Sequence, residues 1–130
     1  MAKILIAEDD ESMRHFLGRE LQRAGHDVTT VGDGVDALPH LETDMFDLLV
    51  ADIVMPEMDG LELARRAELL HPDMKIIFIT GFAAVAMNAR ANASPGTTVL
   101  SKPFHLRQLV GEVETALMDR RLEDGAPPAS

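Results

Sequence analysis

The sequence has no cysteine among its 130 residues. That excludes disulfides and thiol chemistry and suits a cytoplasmic chain. Long hydrophobic runs are also missing, since no stretch approaches the ~20 apolar residues that span a bilayer. The first residues carry one lysine and a short apolar run that breaks at Glu8, so a signal peptide is not expected. Positive charge is scarce: 12 Lys and Arg stand against 22 Asp and Glu, for a formal net charge of −10. Only Arg65-Arg66 and Arg120-Arg121 adjoin. Nucleic acid is therefore not expected as a ligand, because neutralising phosphates needs clustered basic residues. The histidines (His15, His26, His40, His71 and His105) show no metal-ligand spacing and read as surface residues. There is no internal repeat and no linker.

What is present is a 46% hydrophobic composition, enough for one domain with a continuous core. Asp47 to Gly60, DLLVADIVMPEMDG, organises the rest. Leu48 to Ala51 read as a buried strand that delivers Asp52 where the apolar run ends. Met55-Pro56 and Asp59-Gly60 are turn signals before a helical pattern from Leu61 to Leu70. A carboxylate is costly inside such a strand, so its place is the strand's carboxyl end, facing solvent.

Elsewhere, Lys3–Ala7, Val28–Val31, Lys75–Ile79 and Thr97–Ser101 read as strands. Ser12–Ala24 carries a helical stripe, with Ser12 and the preceding acids suited to capping and Gly25 to stopping it. A weaker helix covers Val35–Leu41, where Pro39 should kink it or mark its first turn. Phe82–Ala93 is helical by its alanine content but has few large apolar anchors, so it is expected to be the most mobile helix. A last amphipathic helix follows Lys102-Pro103-Phe104. Residues 1–119 form the expected domain, and 120–130 a flexible tail. Strands alternating with helices through short connections imply a parallel sheet covered on both faces. The fold class is therefore α/β, a three-layer α/β/α sandwich.

In a doubly wound five-stranded sheet of order 2-1-3-4-5, strands one and three adjoin at the switch point. Their carboxyl ends carry Glu8-Asp9-Asp10 and Asp52, and strands four and five add Thr80 and Lys102. Crowded carboxylates raise one another's pKa unless a cation neutralises them. Oxygen ligands without Cys or His suit Mg²⁺. Asp52 then reads as a nucleophile that forms an aspartyl phosphate. The metal and Lys102 would hold the phosphoryl oxygens, and Thr80 could donate to one of them. Taken singly, each group has a duller reading: acids before a helix cap it, Thr before Gly makes a turn, and Lys102 is a solvated charge. Four strand ends placing complementary groups on one edge outweigh those readings.

ILIAEDD, DIVMPEMDG, FITG and SKPF, in this order over residues 3 to 119, resemble the receiver domain of two-component response regulators. The resemblance implies a flavodoxin-like, CheY-like fold and phosphorylation of Asp52 with Mg²⁺ by a histidine kinase or histidine phosphotransfer protein. It also implies that Asp9 ligates the metal directly and Glu8 through water, with Asp52 and the carbonyl of Val54 completing the protein ligands. Thr80 would be the switch hydroxyl and Lys102 the phosphate-binding lysine, with a cis bond to Pro103. The segments ITGFAAVA and VLSKPFHLRQLV are more narrowly similar to the CpdR-type single-domain regulators of alphaproteobacteria. Those act as phosphorylation-controlled adaptors of the ClpXP protease and are fed by a phosphorelay.

Two positions depart from the family. Val99 stands where receivers usually carry Tyr or Phe, and Glu8 replaces the first of two aspartates. An aspartyl-nucleophile phosphohydrolase is a rival reading, but it usually needs a second aspartate where this chain has Val54. A pseudo-receiver with a dead pocket is the other rival, opposed by intact Asp9, Asp52, Thr80 and Lys102. With about ten residues beyond the domain, output is expected through protein–protein contact.

Overall fold

The computed structural model describes residues 2–123, and side chains through residue 119. Five strands alternate with five helices. They are β1 (Lys3–Ala7), α1 (Glu11–Arg23), β2 (Asp27–Val31), α2 (Gly34–Thr43), β3 (Leu48–Asp52), α3 (Gly60–Leu70), β4 (Lys75–Thr80), α4 (Ala83–Ala91), β5 (Thr97–Ser101) and α5 (Leu106–Glu123). The strands pair in parallel in the order β2-β1-β3-β4-β5. This is the doubly wound α/β arrangement expected from the alternation.

The period-two pattern of the strands divides the core into two layers. Leu5, Ala7, Leu49, Ala51, Ile76, Phe78 and Val99 face α2, α3 and α4. Ile4, Ile6, Leu48, Val50, Ile77, Ile79 and Leu100 face the other way and pack on Leu17 and Leu21 of α1 and Leu109 and Val113 of α5. β3 and β4 are buried along their whole length, as central strands covered on both faces must be.

Several local expectations are refined. The cap of α1 is Asp10, whose side chain accepts from the Met13 amide at 2.9 Å; Ser12 lies inside the helix. Gly25 follows with φ +99°, a left-handed conformation that glycine adopts without strain. Pro39 sits in the interior of α2, which begins at Gly34 under an Asp33 cap, and not in its first turn. Helix α4 follows Phe82 as its N-cap, without a side-chain cap hydrogen bond, and is fully buried only at Ala86 and Ala89. α5 continues to Glu123, four residues into the segment expected as tail; the remainder of that tail, 124–130, lies outside the described residues.

Two histidines are not surface groups. The His26 side chain is 7% exposed, with Nε2 3.2 Å from Glu114 on α5. His71 is half-buried and bonds the carbonyl of Leu41 at 2.7 Å, joining α3 to α2. Hydrophilicity read from sequence cannot see such long-range partners.

Candidate phosphoacceptor site

β1, β3, β4 and β5 all end at one edge, and each chain exit there presents a polar group. Asp52 is the last residue of β3 and is 6% exposed. Glu8 follows β1 and is fully buried, while the next residue, Asp9, is exposed. Thr80 closes β4 and is also buried. Lys102 follows β5, its amide donating to the Thr80 carbonyl at 2.7 Å, and its peptide bond to Pro103 is cis.

The Lys102 ammonium donates to Asp52 Oδ2 at 3.0 Å and to Glu8 Oε1 at 3.1 Å. Those pairs join residues 50 and 94 positions apart in the chain. Burial pushes the Glu8 carboxyl up to about 7; the adjacent Asp52 carboxylate adds to that rise, and Lys102 opposes it. Burial would lower the Lys102 ammonium, but Asp52 and Glu8 outweigh it and hold it above the usual lysine value.

A metal fits these residues. Carboxylate oxygens of Glu8, Asp9 and Asp52 lie within 4.8 Å of one another. Once Glu8 is deprotonated, three carboxylates beside one ammonium leave two excess negative charges, which a single divalent cation balances. Among the described residues Glu8 Oε2 is buried without a hydrogen-bond partner, a costly state for a carboxylate unless a cation or its water is supplied. An all-oxygen donor set selects a hard cation such as Mg²⁺.

The remaining expected residues take more specific places. Val54 directs its amide N–H to Asp52 Oδ1 at 3.1 Å, and the residue is 44% exposed. The Thr80 hydroxyl accepts from the Phe82 amide at 3.2 Å, which ties it to the start of α4. Phe82 itself is 58% exposed beside the site. Val99 is buried against Ala86 and Ala89, where an aromatic was the family expectation. Sequence reasoning missed two arginines nearby. Arg90 of α4 donates to the Val99 carbonyl and to Ser101 Oγ, both at 3.2 Å. Arg14 of α1 donates to the Glu8 carbonyl at 2.9 Å. Neither stands in a sequence motif, and only the folded geometry brings them to the site.

The sequence matches the family described as "Response regulator receiver domain" over residues 4–114. It is 56% identical over 118 residues to the response regulator receiver protein CpdR of Brucella abortus, covering 91% of this chain and 98% of that protein. Among solved structures, a response regulator receiver protein from Sinorhizobium medicae superposes with TM-score 0.85 at 33% identity, covering 92% of this chain and 96% of the other. The response regulator TrrA from Thermotoga maritima, solved in complex with Mg²⁺ and BeF, gives TM-score 0.76 at 30% identity, covering 89% and 99%.

Proposed function

This chain belongs to the response regulator receiver domain family, and on that premise we propose that Asp52 is its phosphoacceptor. The observation that carries this reading is the convergence of Glu8, Asp9, Asp52 and Lys102 at one sheet edge. An Asp52 carboxylate oxygen attacks the phosphorus of a phosphohistidine on a histidine kinase or phosphotransfer protein. The new O–P bond forms as the P–N bond breaks, and the departing imidazole nitrogen takes up a proton. Lys102 holds the phosphoryl oxygens, and the Thr80 hydroxyl, buried at the adjacent strand end, donates to one of them. Asp9, Asp52 and the Val54 carbonyl, with Glu8 through a water, would hold Mg²⁺, which would supply neutralising charge to the transferring phosphoryl group.

The chain acts as a regulator and catalyses only its own phosphorylation and slow dephosphorylation, in the cytoplasm. Its output is contact with another protein. The likeness to CpdR supports the ClpXP protease as that partner, through the adaptor role which the CpdR-type resemblance implies.

Incubation with acetyl phosphate tests the acceptor. One base-labile phosphoryl group should appear with Mg²⁺ and none with EDTA, and Asp52→Ala should abolish it. Undiminished labelling of Asp52→Ala would overturn the assignment.

A further inference from the structure

We propose that Arg14 is a positioning residue for the metal-binding carboxylates, acting through the main chain of Glu8. The inference rests on reading the carboxylate cluster as a Mg²⁺ site.

β1 ends at Ala7, so Glu8 lies just beyond the ladder that pairs β1 with β2 and β3. Its peptide groups are nonetheless held on both sides. The Glu8 amide donates to the Val31 carbonyl at the end of β2, at 3.1 Å. Its carbonyl accepts from Arg14 Nη1 at 2.9 Å. Arg14 is half-buried, and its guanidinium reaches across Gly32, where an added Cβ would lie 3.3 Å from Nη1. One side chain of α1 therefore links the turn after β1 to the turn after β2.

The consequence falls on Asp9. Asp9 is exposed, and its aim depends on the residues flanking it. Asp10 is fixed by capping α1 through the Met13 amide. Glu8 is fixed by Val31 and Arg14. Without the arginine, the Glu8–Asp9 peptide gains freedom to rotate, and two carboxylates lose their common aim. Partners that orient metal ligands are typically worth 10–100-fold in affinity.

The direction of the effect separates positioning from simple electrostatics. Arg14 is a cation near an acidic cluster, so by Coulomb repulsion alone its removal would strengthen Mg²⁺ binding. Positioning requires the opposite.

The experiment is calorimetric titration of the full chain with MgCl₂ in the absence of any phosphodonor, for wild type, Arg14→Ala and Arg14→Lys. Thermal melts in EDTA accompany it. Arg14→Ala should bind Mg²⁺ about tenfold more weakly, and Arg14→Lys, which can still donate to the Glu8 carbonyl, should recover most of the loss. Unchanged or tighter binding by Arg14→Ala overturns the inference, as does a lower melting temperature in EDTA with unaltered Mg²⁺ affinity. If Arg14→Ala fails to fold, Arg14→Lys decides through whether it keeps wild-type affinity. Wild type that binds no Mg²⁺ overturns the metal site itself, a different outcome from failure of Arg14 alone.

Discussion

Gly60 lies directly against the backbone of Asp52. A Cβ on Gly60 would collide with the Asp52 carbonyl oxygen and come within 2.9 Å of Ile53 Cα, and the Gly60 amide donates to the Ile53 carbonyl at 2.8 Å. The first turn of α3 is thus seated on the strand end that carries Asp52, the proposed phosphoacceptor. Because both colliding groups are main chain, neither can swing aside.

Gly60→Ala should therefore destabilise the protein by about 1–3 kcal/mol, the range for forced overpacking, and should slow labelling of Asp52 by acetyl phosphate. Urea denaturation and a labelling time course measure the two effects. A variant equal to wild type in both would show that α3 can retreat without disturbing the site.

The Glu8 carboxyl makes the metal-free protein sensitive to pH. Its value rises from 4.5 to about 7 on folding, chiefly through burial. A raised carboxyl contributes stability that is fully present below 4.5 and lost as pH rises through about 7. In EDTA, wild type should thus melt lower at pH 8 than at pH 5.5, MgCl₂ should narrow the gap, and Glu8→Gln should be flatter than wild type. Parallel pH profiles for wild type and Glu8→Gln would remove Glu8 as the cause.

The phosphoryl group should be long-lived. Val54, whose amide donates to Asp52 Oδ1, and Phe82, whose amide donates to Thr80 Oγ1, are the exposed residues next to the proposed phosphoacceptor. Neither side chain carries a group that could orient an attacking water. Loss of one positioning group slows hydrolysis by about one to two orders of magnitude, each worth ~1.4 kcal/mol in the barrier. The half-life of the purified phosphoprotein in Mg²⁺ should shorten in Val54→Asn and Phe82→Glu. Loss of phosphate within seconds in wild type, or no acceleration in the variants, would contradict this.

Output is expected at the face of α4, β5 and α5. α4 is fully buried only at Ala86 and Ala89, packs Val85 against the core and has no side-chain cap, and Arg90 adds two hydrogen bonds to β5. Ser101, one of the Arg90 partners, pairs with Thr80 in the sheet and precedes Lys102. Arg90→Ala should raise amide exchange across Ala83–Ala91 while leaving β3 protected. Partner binding should map to Phe82–Arg90 and His105–Leu117 and differ between phosphorylated and free forms. A partner with equal affinity for both forms could not be switched.

The sequence by itself determined the layers and the edge. Apolar runs such as KILIA and KIIFI are too short for buried helices and suit strands inside a covered sheet, and a carboxylate is least costly at the end of such a strand. Local chemistry therefore puts Glu8, Asp9, Asp52, Thr80 and Lys102 at the exits of parallel strands, which share one rim. Capping was legible only in part, because Asp10 and Ser12 are both good caps and only the structure shows Asp10 accepting from the Met13 amide. The tertiary structure alone decided which atoms meet. Lys102 bridges Asp52 and Glu8 across 50 and 94 positions of chain, Glu8 Oε2 is buried without a partner among the described residues, and Arg14 and Arg90 grip carbonyls of distant elements. Periodicity encodes which face a residue occupies, whereas such contacts depend on the register of crossovers and the reach of single side chains. No local pattern specifies those.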